Sequence, residues 1–176
     1  MAETILVTGL SHKTAPLEMR ERVSVPESSL HGALLELVSL PGIRESTIIN
    51  TCNRVEIVAG GEDPESIRSG LRHFFREHGE VSDGWIERYV YERADRDAVR
   101  HLFRVTSSLD SLVVGEPQIV GQVKQAYAKA KEVGSTGALL NRAFHNAFST
   151  SKRVRNETKI AESAVSISDA AVELAK

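Results

Sequence analysis

The chain has 176 residues, which suits one domain or one domain with a small appendage. Hydrophobic residues make up 41% and charged residues 26% of it, so the composition excludes wholesale disorder and allows a packed core. The net charge of −2 identifies no partner, and a single cysteine excludes an internal disulfide or a zinc site built of cysteines. No apolar run approaches the ~18 residues of a membrane span, so we expect a cytoplasmic protein.

The first half of the sequence alternates between strand and helix patterns. Segments rich in β-branched and apolar residues predict four strands, at 4–10, 46–51, 54–59 and 88–92. Apolar residues at helical spacing predict a short helix after Pro16 and longer helices at 26–39 and 63–78. We therefore expect an α+β fold in which an antiparallel or mixed sheet carries two helices on one face, a ferredoxin-like arrangement.

From Asp95 onward the pattern is helical. Helices are predicted at 95–107, 118–133, 135–159 and 163–176. We expect the helical half (94–160) to pack as a bundle, with a cleft between it and the α/β half (1–93). The last residue, Lys176, ends a segment of good helix formers without a glycine or proline stop signal, so we expect the sequence to be cut from a longer protein; the alternative is a natural, frayed C-terminus.

The only cysteine, Cys52, lies in the polar segment TCNR between two predicted strands. The thiolate is the reactive form of cysteine, and a nearby positive charge favours it. On a regular strand Arg54 would point to the same face as Cys52, or its guanidinium could bind a substrate carboxylate. The alternative is a buried cysteine that ends a strand beside a surface arginine.

His101 lies at the edge of the apolar stripe of its predicted helix, roughly 120° from the centre of that stripe, where it could line a cleft or face solvent. The segment 108–122, SLDSLVVGEPQIVGQ, mixes apolar with polar side chains and is interrupted by Gly115 and Pro117. A loop of this composition often lines a pocket. It matches neither a phosphate-binding loop nor the GxGxxG pattern, and no dinucleotide fingerprint occurs elsewhere in the sequence.

The segment 119–159 carries eight basic and two acidic residues, a local charge of +6. Such a stripe could follow the phosphates of a nucleic acid, or it could be an ordinary solvated helix face.

Several blocks occur together and in order: GLSHKTAPLEMRERV, TCNRVEI, HLFRVTSSLDSLVVGEPQIVGQVKQAY, SKRVRNET and SAVS. In combination they resemble the N-terminal catalytic domain of the glutamyl-tRNA reductase family over essentially all of the chain. The resemblance implies a catalytic domain at 1–160 and the start of a long connecting helix at 161–176. It also implies that the NADPH-binding and dimerisation domains of the family are absent from this sequence.

The resemblance also implies site residues. The family's nucleophile corresponds to Cys52 and its important histidine to His101. Substrate-contact positions correspond to Thr51, Asn53, Arg54, Ser111, Glu116, Pro117, Gln118 and Gln122. Of these, we expect Arg54 to hold a glutamate carboxylate and Glu116 the α-ammonium group. Residues expected to contact the tRNA are Arg142, Lys152, Arg153, Arg155 and Lys159.

The implied reaction is the NADPH-dependent reduction of glutamyl-tRNA(Glu) to glutamate-1-semialdehyde through a Cys52 thioester, the first step of tetrapyrrole biosynthesis by the five-carbon route. The implied partners are the tRNA, a downstream aminomutase and a second copy in a full-length homodimer. We expect this chain to form the acyl-enzyme and to hydrolyse it slowly without reducing it. The alternatives are a non-catalytic tRNA-binding module and a cysteine hydrolase, although no Cys–His signature of the latter is recognisable.

Overall fold

A computed structural model describes residues 3–161 of the chain. Its single sheet contains the strands β1 (Thr4–Ser11), β2 (Glu45–Thr51), β3 (Arg54–Gly61) and β4 (Tyr91–Ala94). The spatial order is β2-β3-β1-β4, and every neighbouring pair is antiparallel. With helices connecting β1 to β2 and β3 to β4, this is the ferredoxin-like βαββαβ arrangement, so the predicted fold class is confirmed.

Within residues 3–161, seven α-helices surround the sheet. The connection from β1 to β2 contains α1 (Leu17–Arg22) and α2 (Glu27–Ser39), and the connection from β3 to β4 contains α3 (Pro64–Gly79) and α4 (Asp83–Tyr89). After β4 come α5 (Asp95–Thr106), α6 (Gln118–Val133), α7 (Ala138–Glu157) and a 3-10 turn (Lys159–Ala161). None of the helices within residues 3–161 has the length and hydrophobicity needed to cross a membrane. The predicted connecting helix (161–176) lies outside the described residues, except for Ala161.

The predicted strand at 88–92 is wrong in its first part, because residues up to Tyr89 belong to α4. The segment ERYVYER contains the aromatic and β-branched run Tyr-Val-Tyr, a composition that favours a strand. Two local interactions favour a helix instead. Ser82 caps the helix by accepting a hydrogen bond from the backbone nitrogen of Trp85 at 3.2 Å, and the rings of Trp85 and Tyr89, one turn apart, lie with their centroids at 5.3 Å.

Both faces of the sheet are covered by helices. Leu6 and Ile57 point into a core shared with α1 to α4, whereas Val7 and Val58 point into a core shared with α5 to α7. Successive strand residues point to opposite faces, so strands with a core on each side become continuously apolar. The helices α5 and α7 pack against each other as expected of a bundle, and the helical half also forms a third layer on the sheet.

The buried carboxylate of Glu45 connects β2 to the helical layer. Its two oxygens accept hydrogen bonds from the backbone nitrogens of Leu139 at 3.2 Å and Leu140 at 2.7 Å, in the first turn of α7. The N-cap residue of this helix is Gly137, which has no side chain to cap it. Glu45 therefore supplies the missing cap, and its negative charge is favourable beside the positive end of the helix dipole.

Candidate active site

Cys52 lies in the tight turn that joins β2 to β3. The hydroxyl of Thr51 accepts hydrogen bonds from the backbone nitrogens of Asn53 at 3.2 Å and Arg54 at 3.1 Å, which closes the turn. From the loop after β1, the backbone nitrogen of His12 donates to the carbonyl of Asn53 at 2.8 Å. The side chain of Cys52 is exposed, so the structure excludes a buried cysteine that merely ends a strand.

A second anchor for this turn comes from α1. Arg20 is buried, and its Nε donates to the carbonyl of Cys52 at 3.1 Å while its Nη1 donates to the carbonyl of Ala15 at 2.6 Å. The backbone that carries the thiol is thus bonded to the loop after β1 and to α1, and the guanidinium of Arg20 provides a positive charge next to it.

Cys52 opens onto a small pocket of about 60 Å³. The wall comes from the β2–β3 turn, the loop between α5 and α6, and the first turns of α6. The lining residues are Thr51, Cys52, Asn53, Arg54, Ser111, Glu116, Gln118, Ile119 and Gln122. The fold therefore brings together all but two of the residues singled out in the sequence for nucleophilic and substrate-binding roles. The exceptions are Pro117, the residue before α6, and His101.

The loop between α5 and α6 is closed by its own hydrogen bonds. The hydroxyl of Ser108 donates to the carbonyl of Glu116 at 2.6 Å, and the backbone nitrogen of Gly115 donates to the carbonyl of Ser108 at 3.0 Å. Gly115 has a φ of 88°, and a Cβ there would lie 2.2 Å from the carbonyl oxygen of Ile160, so only glycine fits. This geometry presents Ser111 and Glu116 to the pocket.

Behind the pocket, the carboxylate of Glu56 is the centre of a buried polar network. Its Oε1 lies 3.0 Å from Nη1 of Arg54 and 2.5 Å from Nε2 of His101, and it also accepts a hydrogen bond from the hydroxyl of Tyr91. Burial alone would raise the pKa of Glu56, but the hydrogen bond from His101 and the charge of Arg54 outweigh it and lower the pKa below its ordinary value. Burial and the charge of Glu56 raise the pKa of Tyr91.

His101 contacts this network rather than the pocket itself. One ring nitrogen bonds Glu56, and the other, Nδ1, lies 3.8 Å from Oδ2 of Asp110. The imidazole is therefore placed between two carboxylates and reaches the pocket wall through Glu56 and Arg54. The sequence placed His101 at the edge of the α5 stripe, and the structure shows that this edge faces β3.

Asp110 ties the loop between α5 and α6 to two other elements. Its Oδ1 lies 2.7 Å from Nζ of Lys13 and 3.4 Å from Nη2 of Arg104, and its backbone carbonyl accepts a hydrogen bond from Nη2 of Arg54 at 2.7 Å. Partial burial would raise the pKa of Asp110, but Lys13 and then Arg104 lower it below its ordinary value. Asp110 precedes Ser111, so these contacts help to position the pocket wall.

The residues around the site that were not assigned a role from the sequence include Arg20, Glu56, Tyr91 and Asp110. Glu56 leaves a recognisable signal, because it is a charged residue inside the apolar strand RVEIV and shares a strand face with Arg54, and Asp110 lies within the segment 108–122 that stands out in the sequence. Arg20 lies in the charged helix LEMRER, where nothing distinguishes it from its neighbours.

The basic residues expected to contact tRNA lie on the outer surface of the helical layer. Arg142 and Lys152 on α7 and Lys159 in the following turn are exposed, whereas Arg155 is half-buried. Arg153 is exposed and forms an ion pair with Glu157 at 3.0 Å. None of these side chains is among those that line the pocket at Cys52.

Comparison with known proteins gives a consistent result. The sequence model of the family described as "Glutamyl-tRNAGlu reductase, N-terminal domain" matches residues 8–158. Glutamyl-tRNA reductase of Syntrophotalea carbinolica is 51% identical over 171 residues, and that of Pelobacter propionicus is 52% identical over 172 residues. These matches cover 97% and 98% of this chain but 39% of each relative.

A solved structure, glutamyl-tRNA reductase from Methanopyrus kandleri, superposes with a TM-score of 0.76 at 35% identity and covers 97% of this chain. The chain again spans 39% of that protein. The chain belongs to the glutamyl-tRNAGlu reductase N-terminal domain family.

Proposed function

We propose that this chain is the acyl-transfer part of a glutamyl-tRNA reductase, and that Cys52 takes the glutamyl group from glutamyl-tRNA(Glu) as a thioester. The supporting observation is the lining of the pocket, where an exposed thiol adjoins Arg54, Ser111, Glu116 and a pair of glutamines. Because the chain spans 39% of the length of the two bacterial relatives, the activity of the whole protein is part of the proposal.

The first step is attack of the Cys52 sulfur on the ester carbonyl of glutamyl-tRNA. A carbon–sulfur bond forms, the bond between the carbonyl carbon and the ribose oxygen breaks, and the proton lost by the thiol is taken up by the ribose oxygen. An aminoacyl ester is already activated, so a thiol can displace its alcohol, and the thioester then accepts hydride more readily than a carboxylate does.

In this proposal Arg54 holds a carboxylate of the glutamyl group, and Glu116 holds its α-ammonium group. The bonds from Arg54 to Glu56 and to the carbonyl of Asp110 use two of its five N–H donors, so the guanidinium is fixed in place with donors left over. We assign His101 a positioning role through Glu56, because the described geometry connects it to the pocket by that carboxylate.

The loop between α5 and α6 has to move outward when the glutamyl group binds. The pocket of about 60 Å³ is well below the range of about 300–1,000 Å³ that is usual for small-molecule sites. The contacts of Asp110 with Lys13 and Arg104 are partly exposed ion pairs, which cost little to break. We therefore propose that the loop opens by breaking them together with the hydrogen bond from Nη2 of Arg54 to the carbonyl of Asp110, which frees that donor for the substrate carboxylate while Glu56 still holds the guanidinium.

The residues present do not fit a nicotinamide dinucleotide. Dinucleotide-binding folds place a glycine-rich turn between parallel strands, whereas the strands described here are all antiparallel and β1 is followed by the polar segment HKTAP. We therefore assign no hydride step to this chain, and we propose that NADPH is bound by another part of the whole protein.

The test is mass spectrometry of this chain after incubation with glutamyl-tRNA. We expect one glutamyl adduct, mapped to the peptide that contains Cys52 and absent from Cys52→Ser. An adduct of equal yield in that variant would show that another group is acylated and would refute the proposal. Slow release of free glutamate without NADPH would reveal hydrolysis of the thioester by water.

We also propose that the exposed basic residues of α7 contact the tRNA, since neutralising phosphates with lysine and arginine supplies most of the affinity for a nucleic acid. Replacing Arg142 and Lys152 together with glutamine should weaken tRNA binding and reduce its dependence on salt, without changing alkylation of Cys52. A non-catalytic tRNA-binding module would show the same loss of affinity but no adduct at Cys52.

A further inference from the structure

Cys52 borders a second cavity, beside α1. It is lined by Leu17, Arg20 and Glu21 of α1, by Ser24 and by Asn50, and it shares Thr51 and Cys52 with the small pocket. The sulfur thus lies between two spaces, one bounded by α6 and the other by α1.

The two spaces differ in size. The cavity beside α1 has a volume of about 360 Å³, within the range of about 300–1,000 Å³ that is usual for small-molecule sites. A thiol that takes an acyl group from an ester needs room for two groups. The acyl group stays bonded to the sulfur, and the alcohol, which is the other substituent of the carbonyl carbon, leaves. The small pocket carries the amino-acid-binding residues, so the larger cavity is free for the alcohol.

The chemistry of the walls favours a nucleoside. Leu17 is 50% exposed and offers an apolar surface on which a base can pack. Glu21 is exposed and can accept hydrogen bonds from ribose hydroxyls, and the buried Arg20 has its Nε and Nη1 bonded to the backbone carbonyls of Cys52 and Ala15. Asn50 is held in place, because its Nδ2 donates to the carbonyl of Val25 at 2.7 Å and its Oδ1 accepts from the hydroxyl of Ser24 at 3.1 Å.

We propose that this cavity binds the leaving nucleoside of the acyl transfer, meaning the ribose that carries the ester together with its base. The inference rests on the proposed function, because it assumes that Cys52 is acylated by an aminoacyl ester. It adds a binding site on α1 and a division of the substrate between two cavities, with the amino acid towards α6 and the nucleoside towards α1.

The experiment compares two esters of glutamate that differ only in the alcohol: the 3′-ester of adenosine and the α-methyl ester. For each, the second-order rate constant for acylation of Cys52 is measured by mass spectrometry in this chain, in Leu17→Ala and in Leu35→Ala. Leu35 is a matched control, since it is 46% exposed on α2 and does not line either cavity at Cys52.

We expect Leu17→Ala to slow acylation by the adenosine ester about fivefold, which is what losing roughly half of the burial of a leucine side chain costs. The same variant should leave acylation by the methyl ester unchanged, and Leu35→Ala should change neither rate. Equal slowing with both esters, or no slowing with either, would overturn the inference while the proposed acyl transfer stands. Failure of both esters to acylate unmodified Cys52 would overturn the proposed function and this inference with it.

Discussion

Replacing Glu56 with glutamine removes the negative charge at the centre of the buried network and leaves its shape almost unchanged. Arg54 and Glu56 are each 1% exposed, so the guanidinium would remain in the interior without its counter-charge. Removing one partner of a buried ion pair typically costs 3–5 kcal/mol, and because glutamine keeps one oxygen acceptor we expect a loss of about 3 kcal/mol in the free energy of unfolding.

The matched control is Glu92→Gln, which breaks an ion pair with Arg68 in which both side chains are 33% exposed. A partly exposed pair of this kind contributes about 0–1 kcal/mol. The free energies of unfolding would be obtained from urea titrations by linear extrapolation, and a domain with a stability of about 5–15 kcal/mol remains folded after either change. If Glu56→Gln cost no more than Glu92→Gln, the network would not have the energetic role that we assign to it.

The same network predicts a pH dependence of stability. The pKa of Glu56 is lowered in the folded protein, so its contribution is fully present above the ordinary value of about 4.5 and is lost as the pH falls through the lower folded value. Urea titrations between neutral pH and pH 3 should therefore show a loss of stability below about pH 4.5. That component should be absent in Glu56→Gln, and an identical acid profile for the variant would contradict the reasoning.

Three further predictions concern the fold and the loop. Gly9→Ala should lower the free energy of unfolding by about 3 kcal/mol or more, because the added Cβ would lie 2.2 Å from a backbone oxygen. In the same urea titration Gly32→Ala, which adds a Cβ in open space on helix α2, should raise the free energy of unfolding by up to about 1 kcal/mol. Glu45→Gln should cost about 1–2 kcal/mol, since the first turn of α7 loses its charged cap; an unchanged urea midpoint would contradict this. Asp110→Asn should speed cleavage by chymotrypsin next to the exposed Leu112, because the loop loses its ion pairs, and a rate equal to that of the unmodified chain would argue against opening by this route.

The two segments of the candidate site whose residues are neighbours in the sequence could be predicted from the sequence. The TCNR turn stands out because polar residues interrupt two apolar runs, and the loop after α5 because Gly115 and Pro117 interrupt a helical pattern. Both predictions depend on neighbouring residues only, and the fold brings the two segments together at the pocket.

The contacts that connect distant segments could not be predicted in this way. His101 and Glu56 are 45 residues apart, and Arg20 is 32 residues from Cys52. Which helix face covers which strand depends on the packing of all three layers, and a helical stripe gives only the direction of the apolar face. For this reason the sequence placed His101 at the edge of a helix but not against Glu56.

The two apolar faces of the sheet have a consequence for strand pairing. In a sheet with one solvent-exposed face, shifting the pairing of a strand by one residue is unfavourable because it would move the apolar side chains of the core face into solvent. Here a slip of β3 would exchange one apolar face for another, so hydrophobicity gives little discrimination between alignments. The slip would, however, carry the side chains of Arg54 and Glu56 into the opposite core. Glu56 would then lose its contacts with His101 and Tyr91. It would also no longer lie opposite Gly9, whose lack of a side chain leaves room for it. The charged residues behind the thiol therefore also select the native alignment of the central strands.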